Sequence, residues 1–373
     1  MKSIYFKNLY ALRFIGAISV ILGHIELIKS FENIPNLMKL PFYKSTNGHI
    51  GVILFFVLSG FLITYFLLDE LKRTEKINFK TFYYKRVLRI WPIYYIMVIF
   101  SILIFPKILF YIDGTVNKIS LREESLYWLF LPNIAKSLKF FIQGATHLWS
   151  IGVEEQFYLI WPILLLFFRK HLILLLCSTI IIFSLTTPFI DYLNFHSTLF
   201  KENEALKNTL SGFFSGFKIN AMAIGGIFAY VHHSKKENIN FVENDIIEFL
   251  LVIVSLFCWI SGKTFGTYTD EVYSALFGLI IFIFATRETS FFNLENKIYI
   301  FFGKISYGLY VYHWVIIIIM IKIIKIYPKI FYTETVGNIF LYSSSLILTT
   351  LISYFSFKYI EKPIMNLTIK KSL

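Results

Sequence analysis

Ten long apolar stretches recur along this chain of 373 residues, at about 9–28, 48–69, 87–106, 147–169, 171–190, 211–232, 246–262, 271–287, 298–321 and 336–358. A helix needs about 20 such residues to cross the hydrocarbon of a bilayer, where each backbone polar group must find its partner within the protein. The pattern predicts an all-α polytopic membrane protein with about ten transmembrane helices in one bundle, and residues 1–373 forming a single membrane domain. Composition agrees, with 57% of residues hydrophobic and 16% charged, against about 45–50% and about 25% in soluble domains.

The formal net charge is +13, but its distribution does not fit a nucleic-acid-binding protein. The basic residues gather between spans, at Lys72, Arg73, Lys76, Lys80, Lys85, Arg86 and Arg89, then Arg169–Lys170, Lys235–Lys236 and Lys370–Lys371. Cytoplasmic loops carry such clusters, and an even number of spans places both termini on one side, so both termini are expected in the cytoplasm. The 107–145 connection then lies outside despite Lys107, Lys118, Arg122, Lys136 and Lys139. Its aromatic stretch Tyr127–Phe130 is open to two placements, in the interface or dipping among the helices. Cys177 and Cys258 fall in apolar spans with no CxxC pair or zinc spacing, so no metal is expected. The first span has no small-residue cleavage site and reads as a retained helix.

Within that first span stand Arg13 and His24. A charge at mid-depth costs roughly 2.5–3.5 kcal/mol even on the lenient insertion scale. Eleven positions at about 100° each bring the two onto one helix face, about 16 Å apart. Two readings stay open: a site, or an arginine snorkelling inward with a histidine capping the outer end. Glu26, two positions on, lies on a different face and is expected near the outer interface.

Three further segments interrupt apolar spans with groups able to do chemistry. In Tyr83–Tyr94, Arg86 and Arg89 are three apart on one helix face, with aromatics alongside. Guanidinium pairs bind phosphate through bidentate forks, although a topogenic basic loop would look similar. In His147–Tyr158, His147, Ser150 and Glu154 share a stripe, and Glu154 and Glu155 bring adjacent carboxylates into an apolar span. In Ser306–Trp314, Ser306, Tyr310 and His313 fall at i, i+4 and i+7, either a polar path or an interhelical hydrogen-bond seam. Ser59–Gly60 within span two points to a close backbone approach or a helix break, and Pro363 reads as the stop of the last span.

In this order the segments resemble the membrane acyltransferase-3 family of bacterial O-acyltransferases. Arg13 and His24 are similar to its opening signature, an arginine, ten residues and a histidine. The resemblance continues through FFVLSGF at Phe55–Phe61, RxxR at Arg86 and Arg89 followed by Pro92, HLWSIGVEEQFY at His147–Tyr158, ISYGLYVYHW at Ile305–Trp314, and Glu361–Pro363. Gly152 is a small departure, standing where a small polar or aliphatic residue is common.

The resemblance implies a ten-helix domain in the bacterial cytoplasmic (inner) membrane. It would take an acyl group, most often acetyl, from cytoplasmic acyl-coenzyme A, with acetyl-CoA as the donor substrate. The acceptor would be a hydroxyl of an envelope or exported glycan, such as lipopolysaccharide O-antigen, capsule, exopolysaccharide or peptidoglycan, free or lipid-linked. Many members add an SGNH-type esterase-like domain; this chain ends fifteen residues after the last expected span and resembles the stand-alone form. Carried over by position, His24 is the expected base or transient acyl acceptor. Arg13 would hold a pantetheine or phosphate oxygen, or orient the catalytic centre, and Arg86 and Arg89 would grip the coenzyme A phosphates. Glu154 would partner a basic residue in the core, with Glu155 second. His147, Ser306, Tyr310 and His313 would line the acceptor path. The rival from another class is a transporter or flippase for a lipid-linked glycan, using the same intramembrane charges as a substrate path. It predicts discontinuous helices repeated in both halves, a pattern absent from the sequence.

Overall fold

The computed structural model describes residues 6–37, 46–116, 118–196, 203–234, 242–331 and 333–371. The Lys235–Lys236 pair lies outside the described residues. Among them no strand occurs, and the elements are helices in the order α1 (Leu9–Phe31), α2 (Thr46–Thr74), α3 (Phe79–Ile99), α4 (Phe105–Asp113), α5 (Leu121–Trp128), α6 (Pro132–Ser137), α7 (Trp149–Phe167) and α8 (Leu172–His196). There follow α9 (Glu204–Gly216), α10 (Ile219–Ser234), α11 (Asp245–Ile260), α12 (Thr269–Thr286), α13 (Lys297–Lys304), α14 (Ser306–Ile326), α15 (Glu334–Ser356) and α16 (Lys362–Lys371).

Among the described residues, nine helical stretches are long and apolar enough to cross a membrane. The remaining span expected from sequence, the seventh at 246–262, is α11, whose 16 residues reach about 24 Å at 1.5 Å per residue. Two other expectations shift. The span drawn at 298–321 is broken at Ile305, so that the short α13 precedes a separate 21-residue α14. Pro363 does not stop a helix. It is the second residue of α16, which continues α15 without a break through a π-helical turn at Phe357–Glu361, and local π adjustment is one way a membrane helix accommodates proline.

The chain forms two compact units. One takes Met1–Gly16, His49–Phe79 and Val153–Lys304; the other takes Ala17–Gly48, Lys80–Gly152 and Ile305–Leu373. In the first, α2 and α10 pack backbone to backbone. A Cβ on Gly60 would stand 1.9 Å from the carbonyl oxygen of Met222, and one on Gly225 would stand 2.1 Å from that of Val57. Small residues at such crossings let helices approach where no hydrophobic drive separates them from lipid. The Ser59–Gly60 signal therefore marks a close approach, and α2 runs unbroken through it.

In the second unit, α14 lies against α15 along a buried stripe of small residues, Ser345, Thr349, Ser353 and Ser356, with Gly308 of α14 facing Ser353. The aromatic stretch of the long connection packs inward at its two ends and leaves Trp128 and Leu129 exposed. Tyr127 and Phe130 are buried, the Tyr94 hydroxyl donates to the Tyr127 carbonyl at 2.7 Å, and the Tyr94 and Phe130 rings stack at 3.9 Å. Between α3 and α4 the helix widens into a π-turn at Phe100–Ile104, so the third span continues to Asp113 instead of ending at 106.

Candidate active site

Two histidines from distant parts of the second unit meet. His24 of α1 is half-buried and His313 of α14 is fully buried. Their rings lie nearly parallel, at 6° with centroids 5.0 Å apart, and His24 Nδ1 is 2.7 Å from His313 Nε2. Geometry assigns the protons of the neutral pair. His313 Nδ1 lies 3.2 Å from the carbonyl oxygen of Leu309, which can only accept, so Nδ1 carries the hydrogen and Nε2 carries the lone pair. His24 Nδ1 then donates to His313, which leaves the lone pair of His24 on Nε2. The ring nitrogen that acts is set by the hydrogen bond the other nitrogen makes, and an unprotonated nitrogen is what a general base or nucleophile requires.

Around this pair stand His147 and Trp314. The Trp314 ring meets His24 edge-on at 4.8 Å and stacks on His147 at 5.7 Å, while His147 and His313 are 5.1 Å apart. His147 is buried, and its Nε2 donates to the Val311 carbonyl at 2.9 Å; its Nδ1 has no hydrogen-bond partner. Tyr310 serves as a seam: its hydroxyl donates to the His147 carbonyl at 2.8 Å and, with that proton committed, accepts from Ser150 Oγ at 2.5 Å. The stripe read at i, i+4 and i+7 thus divides. Ser306 is buried at the start of α14, Tyr310 ties α14 to the segment entering α7, and His313 reaches His24. Among the described residues no group of three His, Cys, Asp or Glu is arranged to hold a metal.

Arg86 and Arg89 occupy α3 in the same unit. The Arg86 guanidinium lies 5.6 Å over the Phe82 ring, and Arg89 is near enough to Glu361 for their charges to interact. Glu361 accepts from Ser356 Oγ at 3.2 Å, Ser356 bonds to the Tyr312 hydroxyl at 2.9 Å, and Tyr307 donates to the Ile90 carbonyl at 2.8 Å. Two cations, three hydroxyls and a carboxylate are gathered here by α3, α14 and the end of α15.

Arg13, Glu154 and Glu155 belong to the first unit. Glu154 Oε1 accepts from Ser59 Oγ at 2.8 Å, and Ser59 accepts from the Tyr158 hydroxyl at 3.1 Å. The segments FFVLSGF and HLWSIGVEEQFY are therefore joined through Ser59, a partner that sequence reasoning did not assign. A lone serine beside a glycine in an otherwise apolar span was the available signal. Arg13 lies 5.9 Å over the Tyr10 ring, and both carboxylates are half-buried.

Glu26 is fully buried among its neighbours. It pairs with Lys29 at 2.9 Å and accepts from the Tyr342 hydroxyl at 2.5 Å and from the Leu37 backbone. Removing either partner of such a pair would leave an uncompensated buried charge, which costs several kcal/mol. A second network surrounds Glu32, just past α1. Glu32 holds Lys322 at 3.1 Å and also Lys325, and Lys322 reaches Asp113 at 2.9 Å. Burial pushes the Glu32 carboxyl up, but the two lysines outweigh burial and hold it below the usual carboxylate value.

The family model described as an acyltransferase domain matches residues 6–358. The O-acetyltransferase OatA of Staphylococcus aureus is 27% identical over 337 residues, covering 86% of this chain and 53% of that protein. The peptidoglycan O-acetyltransferase OatA of Listeria monocytogenes is 27% identical over 385 residues, covering 96% of this chain and 56% of that protein. The chain thus spans little more than half the length of these relatives. No solved structure matches it. With its family model matched over almost its whole length, the chain belongs to the acyltransferase-3 family of membrane acyltransferases.

Proposed function

We propose that this protein is an O-acetyltransferase of the bacterial cytoplasmic membrane that moves an acetyl group from cytoplasmic acetyl-CoA to a hydroxyl of an envelope glycan. The peptidoglycan O-acetyltransferase among its relatives makes the peptidoglycan glycan strand the first acceptor to test, ahead of lipopolysaccharide or capsule. The observation that carries this reading is the 2.7 Å His24–His313 bond, whose proton order leaves His24 Nε2 as the basic nitrogen.

With the basic clusters between spans held on the cytoplasmic side, as the positive-inside rule favours, Arg86 and Arg89 face the compartment that holds coenzyme A and grip its phosphates, a role suited to guanidinium forks. Arg13 takes a pantetheine or phosphate oxygen as the acyl arm enters. Glu154, held by Ser59, is the carboxylate that balances a cation of the core, with Glu155 second. His24 then either removes the proton of the acceptor hydroxyl as that oxygen attacks the thioester carbonyl, or takes the acetyl group on Nε2 and passes it on. In both routes the thioester C–S bond breaks, coenzyme A leaves as the thiol, and one ester is formed. His313 supports both, since positive charge developing on His24 strengthens the Nδ1–H bond it donates. His147 and Ser306 border the acceptor path.

The test is mass spectrometry of the envelope glycan from a strain lacking this chain. The enzyme predicts intact glycan without O-acetyl ester, whereas a transporter or flippase predicts missing glycan.

A further inference from the structure

Beside the histidine pair, wholly within the second unit, lies a cavity of about 550 Å³. Its floor is buried and its rim exposed: Ser101, Trp314 and Ile318 are each under a tenth accessible, whereas Phe31 and Phe141 are half exposed or more. Trp314 both lines this cavity and meets His24 edge-on, with ring centroids 4.8 Å apart. It is held there by its indole N–H, which donates to the carbonyl of Gln143 at 2.8 Å. A group resting against Trp314 is therefore one side chain from the proposed base.

We propose that this cavity is the acceptor subsite, and that it holds an N-acetylhexosamine unit of the glycan with a hydroxyl presented toward His24. The assignment rests on the acetyltransferase reading above and adds to it where the sugar sits and what it touches. Three observations carry it. The volume lies well inside the range of about 300–1,000 Å³ usual for small-molecule sites. The lining suits a pyranose. Phe105, Phe141 and Trp314 offer aromatic rings to its C–H faces, while Glu32, Thr115 and Gln143 offer polar groups to its hydroxyls and amide. A lipid tail would have no use for those polar groups.

The third observation is Ser101. Its hydroxyl is buried, borders the cavity and has no hydrogen-bond partner. An orphaned buried polar group is uncommon and calls for an explanation. Ser101 sits in the π-turn at Phe100–Ile104, and such turns recur at functional sites. Gly144 leaves the hydroxyl room, since a Cβ at that position would stand 2.7 Å from Ser101 Oγ. A sugar hydroxyl or acetamido group in the cavity would satisfy it. Glu32, tied to Lys322 and Lys325, stiffens the rim.

The test uses the full chain in lipid nanodiscs with labelled acetyl-CoA at saturation and the β-1,4-linked tetrasaccharide of N-acetylglucosamine as acceptor. Ser101→Ala removes the hydroxyl without adding bulk. A structural serine with an unsatisfied hydroxyl would leave the melting temperature equal or raised and the acceptor KM unchanged. A ligand-binding serine raises the acceptor KM about three- to tenfold with kcat within about twofold. Ile119→Trp, in the loop that lines the cavity, fills the space. It is expected to lower kcat/KM for the tetrasaccharide by at least about tenfold while the acetyl-CoA dissociation constant and melting temperature stay unchanged. Unchanged acceptor KM in both variants overturns the subsite, as does failure of the wild type to show saturable transfer to this probe. His24→Ala in parallel separates the two claims. If it transfers as well as wild type, the chemistry assigned to His24 fails, and the subsite is judged on the KM comparison alone.

Discussion

Replacing His313 tests the histidine pair without touching the proposed base. In the native pair His313 Nε2 accepts from His24 Nδ1 at 2.7 Å, and this bond does two things. It holds His24 in the tautomer with its lone pair on Nε2, and it strengthens as His24 becomes cationic. Loss of the tautomer preference is worth about 1 kcal/mol, the net worth of a neutral hydrogen bond. Loss of the strengthening adds about 1–2 kcal/mol, the difference between neutral and charge-assisted bonds. Together these are about 2–3 kcal/mol, or roughly a 30- to 150-fold lower kcat for His313→Ala. His313→Gln places an amide oxygen close to where Nε2 stood, and is expected to recover activity to within about tenfold of wild type. The assay is labelled acetyl transfer in nanodiscs, with acetyl-CoA affinity and melting temperature measured on the same samples. His313→Ala within threefold of wild type, at equal folding and donor affinity, would refute the proton order derived from the Leu309 contact.

Two further predictions follow from the charges. The double variant Arg86→Ala/Arg89→Ala should raise the acetyl-CoA dissociation constant by at least about tenfold, since two charge-assisted phosphate contacts are lost, as measured by calorimetry; unchanged affinity removes the phosphate-grip role. Glu32 is held below its ordinary value of 4.5 by Lys325 and Lys322, so the stability it contributes is present above about pH 4.5 and is lost as pH falls through the lowered value. The site is partly exposed, which discounts that contribution to about 0.5–1 kcal/mol. Glu32→Gln is therefore expected to lower the melting temperature by about 1–2 °C at pH 7, and by progressively less as pH falls through the lowered value.

How much of this was legible in the sequence depended on the range of the interaction. The spans could be read because hydrocarbon enforces long apolar runs, and Arg13, His24, Glu154 and His313 stood out because polar groups in such runs are costly. Their partners could not be read. His24 and His313 are 289 positions apart, and periodicity along one helix says nothing about which helix it faces. Glu26 illustrates the same limit. Its own helix supplies Lys29, but the hydroxyl it accepts from belongs to Tyr342 on α15, 316 positions away. The π-turns at Phe100–Ile104 and Phe357–Glu361 are each followed two positions on by a proline, Pro106 and Pro363, and a proline by itself does not distinguish a helix stop from a widened turn. Ser101 thus passed as an ordinary serine until its burial and missing partner were seen.

The central claim is that His24 performs the transfer. Its most direct measurement is the formation of labelled ester by purified protein in nanodiscs, comparing wild type with His24→Ala after both show equal melting temperature and acetyl-CoA affinity. The account predicts labelled glycan from the wild type and none above background from His24→Ala. Equal labelling by the two proteins would contradict it.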